Sequence, residues 1–118
     1  MIIVYEYPKC TTCRKAKKFL QDSGFQFEAV DMVSHPPSVE TLRTLVEKSE
    51  RNVDEFFNSR GKSFKELNLK EALKDLTFEE KLDLLSEDGM LIKRPMVDYE
   101  AGVFLGFNEA EYKEKLQL

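Results

Sequence analysis

The chain has 118 residues, of which 42% are hydrophobic and 34% charged, and its formal net charge is -4. A chain of this length can bury one core but not two, so a single domain spanning residues 1–118 is expected. The acidic balance argues against a protein that grips a nucleic-acid backbone directly. No apolar run reaches the roughly 18 residues of a membrane helix, and no signal peptide is recognisable. A cytoplasmic location without a membrane partner is therefore predicted.

The N-terminal part of the chain alternates between strand and helix patterns. Residues 2–5 have the apolar, β-branched composition of a short strand. Apolar residues then recur at helical spacing over residues 11–23, and Gly24 provides a helix stop. Residues 25–30 alternate for part of their length, which predicts a second strand. The unit is β-α-β, and the length of its crossover makes the two strands parallel.

The middle of the chain is predicted to be a helical insertion at about residues 38–89. A proline-containing break at residues 35–37 separates it from the second strand. Capping boxes at residues 68–71 and 77–80 mark helix starts within it. Gly89 is predicted to end the last of these helices.

The C-terminal part returns to strands. Residues 96–99 and 103–105 flank a short turn, which is the spacing of an antiparallel hairpin. A final helix begins with a capping box at residues 108–111, and Phe107 and Tyr112 are placed to form a hydrophobic staple. The predicted order is therefore β-α-β, helical insertion, β-β-α.

Both cysteines of the chain lie in one C-x-x-C motif, Cys10-Thr11-Thr12-Cys13, between the first strand and the first helix. A helix N-terminus favours an anion, so Cys10 is expected to ionise more readily than a free thiol, with help from Lys9 or Arg14. Two residues between the sulfurs allow a small disulfide ring to close and reopen. The motif therefore indicates a thiol redox site.

The cysteine pair has three other interpretations: a metal site, a structural disulfide or two inert thiols. A closed zinc site needs four nitrogen or sulfur ligands, but His35 is the one soft ligand left in the chain, so no metal is expected. His35 itself has no neighbour that suggests a proton relay, and it is predicted to be a loop residue. A structural staple across so short a loop would constrain little of the unfolded chain. Two inert buried thiols stay open as an alternative.

Arg94-Pro95 is the second feature with chemical content. A proline at the start of a strand removes a ladder donor and needs a special setting. By analogy with other redox folds of the order β-α-β, β-β-α, a cis proline before the third strand would lie beside the C-x-x-C motif. A plain strand-entry proline is the alternative.

Several motifs together resemble the arsenate reductase (ArsC)/Spx family of thioredoxin-like proteins. The resemblance covers nearly the whole chain and is carried by Tyr7-Pro8-Lys9-Cys10-Thr11-Thr12-Cys13-Arg14-Lys15-Ala16, Arg60, Arg94-Pro95 and Gly106-Phe107-Asn108-Glu109. It implies an α/β, thioredoxin-like (glutaredoxin-like) fold with a four-stranded mixed sheet beside the helical insertion. It also implies that Cys10 is the reactive sulfur.

The arsenate reductase branch implies a site for an oxyanion. In such enzymes a cysteine matching Cys10 attacks arsenic, three arginines hold the oxyanion, and glutathione with glutaredoxin completes the reduction. Arg60 and Arg94 match two of those arginines, whereas the third position, after Gly106, is Phe107. A lost guanidinium contact removes about 1.5–3 kcal/mol, so oxyanion binding should be weak. A solvated loop charge is the alternative interpretation of Arg60.

The Spx branch implies a different function. Spx-type regulators use a C-x-x-C as a redox switch and bind the C-terminal domain of the RNA polymerase α subunit. This chain shares their second cysteine, Cys13. It has Asn52 where the regulators carry a glycine at the polymerase contact, and a side chain there would obstruct a close backbone approach.

The function predicted from the sequence is that of a thiol-dependent oxidoreductase resembling arsenate reductase. Cys10 is the nucleophile and Cys13 resolves the adduct into a disulfide. No bound cofactor is expected, and the reductant is glutathione with glutaredoxin, or a thioredoxin-like protein. An Spx-like regulator and an idle binding module are the alternatives. The predicted substrate site comprises Lys9, Arg14, Arg60, Arg94 and Pro95 beside the two cysteines.

Overall fold

A computed structural model describes all 118 residues. Ten helices and strands follow the predicted order: β1 (Ile2–Glu6), α1 (Thr11–Asp22), β2 (Phe27–Asp31), α2 (Val39–Ser49), α3 (Lys62–Glu66), α4 (Leu69–Ala72), α5 (Phe78–Glu87), β3 (Met96–Tyr99), β4 (Gly102–Leu105) and α6 (Glu109–Lys115). Single 3-10 turns lie at Val53–Phe56, Leu73–Asp75 and Gly89–Leu91. No helix has both the length and the apolar character to cross a membrane.

The strands form one mixed sheet of four strands in the order β2-β1-β3-β4. β1 and β2 are parallel, with Ile2 opposite Phe27 and Glu6 opposite Asp31. β3 is antiparallel to both β1 and β4. The parallel β-α-β unit and the C-terminal hairpin predicted from the sequence are confirmed.

Two hydrophobic clusters cover the two faces of this sheet. The smaller one packs α1 and α6 on β1 through residues that include Val4, Leu20 and Tyr112. The larger one contains the apolar side chains of the helical segments between β2 and β3, with Phe56 and Leu82 fully buried. Because side chains alternate along a strand, one face of β1 lies under α1 and the other faces the helical segments.

The end of α1 determines where β2 starts. Gly24 has a φ of +84°, and its amide donates to the Gln21 carbonyl while the Phe25 amide donates to the Leu20 carbonyl. These two bonds form a Schellman motif, which ends the helix as the glycine predicts. Phe25 belongs to this motif, so the strand begins at Phe27 rather than at residue 25.

One predicted capping box is wrong. Asn68 has a φ of 52° and its side chain makes no capping hydrogen bond to α4. Its amide instead donates to the Lys65 carbonyl, so the left-handed residue ends α3 rather than starting the next helix. The second box is confirmed, because Thr77 accepts from the Glu80 amide and the Glu80 side chain accepts from the Thr77 amide.

Gly89 does not end α5 in the predicted way. The helix ends at Glu87, and Asp88 then caps a 3-10 turn by accepting from the Met90 amide at 2.9 Å. Gly89 is required for packing instead, since a Cβ built there would lie 1.9 Å from the Met32 carbonyl oxygen. The backbones of the two segments touch at this point, and only a glycine permits that approach.

The C-terminal helix is anchored as predicted. The Asn108 side chain accepts from the Glu111 amide at 3.0 Å, which supplies one half of the capping box. The rings of Phe107 and Tyr112 pack edge to face with centroids 4.8 Å apart, so the staple is present. The Tyr112 hydroxyl also donates to the Gly106 carbonyl at 2.8 Å.

Candidate functional site

The C-x-x-C motif lies after the end of β1, at the start of α1. Cys10 is the N-cap residue of α1, with extended backbone and a half-buried side chain. Its Sγ accepts a hydrogen bond from the Cys13 amide at 3.4 Å, and its carbonyl accepts from the Arg14 amide. The sulfur thus takes the position in which capping side chains satisfy the unpaired amides of a helix start.

The pKa of the Cys10 thiol is lowered. Burial alone would raise it, but hydrogen bonds from the Cys13 amide and thiol and from the Arg94 guanidinium outweigh that effect. Each of these donors stabilises the thiolate more than the thiol. The lowered pKa agrees with the expectation from the helix-start position of the motif.

Arg94 is the cation that acts on Cys10. Its guanidinium carbon lies 5.3 Å from the ring centroid of Tyr7, and Nη1 is 4.0 Å from the Met90 sulfur. The Arg94-Pro95 peptide is cis, as predicted, and Pro95 is buried. The ring of Tyr7 holds the guanidinium by a cation–π contact, a role that the sequence reasoning did not give to Tyr7.

Cys13 differs sharply from Cys10 although the two are three residues apart. It is fully buried, and burial raises its pKa to about 12, with further contributions from the negative charges of Cys10 and Glu6. Its thiol lies within hydrogen-bonding reach of the Cys10 sulfur. The pair therefore consists of one accessible sulfur that ionises easily and one buried sulfur that holds its proton.

Lys9 and Arg14, the cations predicted to assist Cys10, are both exposed. The Arg14 Nε donates to the Pro8 carbonyl at 3.1 Å. Neither is among the main causes of the lowered pKa of Cys10, and the cation among those causes is Arg94. Sequence proximity was misleading because the side chains of Lys9 and Arg14 lie in solvent, whereas Arg94 is brought to Cys10 by the pairing of β1 with β3.

Arg60 and Phe107 lie in two different environments. Arg60 is exposed and lines a cleft of about 350 Å³ together with Asn58, Ser59 and Lys93. Phe107 is half-buried, and its ring packs 5.7 Å from that of Phe19 on α1. The position of the third family arginine is thus part of an aromatic cluster and contributes no charge.

The remaining candidates of the sequence analysis are distant from this chemistry. His35 is exposed in the turn after β2, where its amide donates to the Asp31 carbonyl. No three side chains of His, Cys, Asp or Glu are arranged to hold a metal ion. Asn52 caps the 3-10 turn that follows α2 by accepting from the Asp54 amide at 2.9 Å, and its φ is -67°, so no glycine conformation is needed there.

One charged residue of the site escaped the sequence reasoning. Glu6, the last residue of β1, is only 5% exposed and is paired with Lys17 of α1. Two sequence features could have indicated this ion pair. Glu6 ends an apolar strand directly before the motif, and a lysine follows Cys13 by four residues.

Residues 5–115 match the model of the ArsC family. The chain belongs to the ArsC family. YusI of Bacillus subtilis (strain 168), an uncharacterized protein, is 46% identical over 110 residues, which cover 93% of each chain. The global transcriptional regulator Spx of Lactiplantibacillus plantarum is 33% identical, over 98% of this chain and 86% of the regulator.

Solved structures agree with this family membership. The crystal structure of a possible arsenate reductase from Streptococcus mutans UA159 superimposes with a TM-score of 0.88 at 39% identity, covering 100% of this chain and 98% of the other. The ArsC-family protein therefore has the thioredoxin-like fold that the sequence motifs implied.

Alkylation kinetics should separate the two cysteines of this ArsC-family protein. Because the pKa of Cys10 is lowered and that of Cys13 is raised to about 12, iodoacetamide should modify Cys10 at a pH below that needed for a free thiol, near 8.5, and leave Cys13 unmodified at neutral pH. Arg94→Met should shift the Cys10 profile upward and slow its alkylation several-fold at pH 6.

Peptide mass analysis after timed alkylation measures both sites at once. Lys9→Met serves as the matched control, since it removes an adjacent, exposed cation that is not among the causes given for the lowered pKa of Cys10. Equal reactivity of the two cysteines, with a common midpoint near 8.5, would contradict the assignment. A Lys9→Met effect as large as that of Arg94→Met would contradict the role of Arg94.

Proposed function

We propose that the protein is a thiol oxidoreductase resembling arsenate reductase, with Cys10 as nucleophile and Cys13 as resolving thiol. The observation that carries the proposal is the asymmetry of the pair. The accessible Cys10 sulfur has a lowered pKa between the Cys13 amide and Arg94, while the adjacent Cys13 thiol is buried with a raised pKa. An attacking thiolate and a protected second thiol are the two components of disulfide exchange.

The proposed cycle transfers two electrons to a disulfide substrate. The Cys10 thiolate attacks one substrate sulfur, the substrate S–S bond breaks, and one half leaves as a thiolate. Cys13 then loses its proton and attacks the Cys10 sulfur. The Cys10–Cys13 bond forms while the bond from Cys10 to the second half breaks, and that half also leaves as a thiolate. An external dithiol, or two equivalents of glutathione, reduces the internal disulfide.

Arg94 is proposed to stabilise the Cys10 nucleophile and also to bind the substrate. Its guanidinium stabilises the Cys10 thiolate and has further N–H donors for an anionic group of a bound substrate. Arg60, with Lys9, Arg14 and Pro95, completes the proposed substrate surface. Since Phe107 replaces the third arginine of the family, a disulfide with a nearby carboxylate is a better match than a bare oxyanion. The proposed setting is the cytoplasm, whose thiol systems keep such a pair reduced.

A second candidate function is that of a redox-sensing regulator. The relative at 33% identity is a global transcriptional regulator, and Spx-type regulators act on RNA polymerase through its α subunit. The shared C-x-x-C favours this candidate. The capping role of Asn52, at the position of their contact glycine, weighs against it because its side chain occupies the surface there.

Parallel assays test the two candidates. The purified protein is given a glutathione-containing mixed disulfide or arsenate, with glutathione, glutaredoxin and an NADPH-coupled readout. We expect catalytic turnover of the disulfide and weak or no turnover of arsenate. Capture of the polymerase α C-terminal domain by the oxidised protein, without turnover of either substrate, would favour the regulator and contradict the oxidoreductase.

A further inference from the structure

The cleft that contains Arg60 holds two exposed cations and no carboxylate. Arg60 and Lys93 line it together with Asn58 and Ser59, and its volume is about 350 Å³. Neither cation forms an ion pair anywhere in the fold. A cleft lined by charges of one sign attracts ions of the opposite sign, so this one is suited to an anion although the chain as a whole has a net charge of -4.

Paired backbone segments hold the two cations at this cleft. The amides of Asn58 and Lys93 donate to carbonyls of the facing segment at 2.7 and 2.8 Å. Phe57 and Ile92 form the β-bridge between these bonds, and both side chains are buried. Because side chains alternate along extended segments, Asn58 and Lys93 face away from the core. The turn after Asn58 then carries Arg60.

The side chain of Lys93 lies along the backbone at Gly106. A Cβ built on Gly106 would be 3.6 Å from Lys93 Cε, the carbon that carries the ammonium group. Gly106 is itself fixed at this place, since its amide donates to the Pro95 carbonyl at 2.8 Å. Lys93 therefore brings a positive charge to the backbone beside Phe107, a residue that contributes none.

The cleft begins one residue from the cation that acts on the nucleophile. Lys93 directly precedes Arg94, and consecutive Cα atoms are about 3.8 Å apart. The Arg94 guanidinium carbon lies 5.3 Å from the ring centroid of Tyr7, whose carbonyl accepts from the Cys10 amide at 2.9 Å. Contacts through Arg94 and Tyr7 thus connect the cleft to Cys10.

We propose that this cleft binds a carboxylate of the disulfide substrate, with Lys93 as a specificity-determining residue, an inference that rests on the proposed oxidoreductase function. The substrate class is then a small disulfide that carries a carboxylate several bonds from its sulfur. Arg60 donates paired hydrogen bonds to a planar carboxylate, and Lys93 adds a compact point charge. Arg94 remains beside Cys10 to stabilise the thiolate.

Two disulfides that differ in their carboxylates test the cleft. Glutathione disulfide is compared with the disulfide of glutathione diethyl ester, in which both carboxylates are blocked. The reduced protein is mixed with increasing concentrations of each, and intact mass follows the loss of two hydrogens as the internal disulfide forms. For Lys93→Met we expect the half-saturating concentration of glutathione disulfide to rise about fivefold at an unchanged limiting rate. The ester disulfide should show no such rise.

Three further variants complete the comparison. Lys93→Arg keeps the charge and should stay within about twofold of the unaltered protein. Arg60→Met removes the second cation of the cleft and should act in the same direction as Lys93→Met. Lys115→Met is the matched control, because it removes an exposed, unpaired lysine beside Met1 and Tyr99, at the opposite end of β1 and β3. It should change the kinetics of neither disulfide.

The outcomes distinguish the role of the cleft from the proposed function. If Lys93→Met leaves the kinetics of glutathione disulfide unchanged, or slows both disulfides equally, the role of the cleft is overturned. The oxidoreductase proposal stands in that case, because the unaltered protein still forms its internal disulfide. If neither disulfide oxidises the unaltered protein, the proposed function is contradicted, and the role of the cleft with it.

Discussion

Replacing Cys10 with serine should abolish disulfide turnover, with a loss of more than about 1000-fold, because a serine hydroxyl is not ionised by the donors that lower the pKa of Cys10. Replacing Cys13 with alanine should have a different result. The first half of the cycle stays intact, so a mixed disulfide with the substrate, or a sulfenic acid after mild peroxide, should accumulate on Cys10. Intact-mass measurement distinguishes these products from the internal disulfide.

The matched control is Thr12→Ala, which changes an exposed residue between the two sulfurs. It should form the internal disulfide on mild oxidation, seen as the loss of two hydrogens, and dithiothreitol should reverse it. Conversion of Cys10 directly to sulfonic acid in the unaltered protein, without the loss of two hydrogens at any oxidant dose, would refute the resolving role of Cys13.

Gly89→Ala should be the most destabilising small substitution in the chain. The new methyl group would lie 1.9 Å from the Met32 carbonyl oxygen and 2.7 Å from its carbonyl carbon, so two backbone segments would have to separate. We expect a loss of about 3 kcal/mol or more in the free energy of unfolding. For a domain of this size that corresponds to a fall of about 10–20 °C in Tm. Thermal unfolding followed by circular dichroism measures it.

Gly24→Ala is the comparison for that experiment. A Cβ at Gly24 has no atom within 4 Å, but its φ of +84° is unfavourable for alanine. This backbone conformation alone should lower the free energy of unfolding of the alanine variant by about 1–2 kcal/mol. If Gly89→Ala cost no more than Gly24→Ala, the close contact between Gly89 and Met32 would not be a determinant of stability.

Several secondary-structure elements could be predicted from local sequence rules. The strand before the motif, the helix over residues 11–22, the stop at Gly24 and the capping box at Thr77 depend on side chains acting within a few residues of themselves. Sequence spacing contains that information directly. The two wrong predictions of helix ends, at Asn68 and Gly89, have the same origin, because these residue types have more than one structural use. Only their neighbours in space decide whether Asn68 ends a helix and whether Gly89 permits a close approach.

Some features of the candidate site could likewise be predicted from the sequence, whereas others are seen only in the folded protein. The order of the elements, the reactive position of Cys10 at a helix start and the family membership can all be read from the chain, since a C-x-x-C between strand and helix places one sulfur among unpaired amides. The sequence could not show which cation faces that sulfur. Arg94 precedes β3 and is brought to the motif by the pairing of β1 with β3, and partial burial of the site strengthens the effect of its charge on Cys10. Such long-range juxtaposition and desolvation exist only in the folded protein.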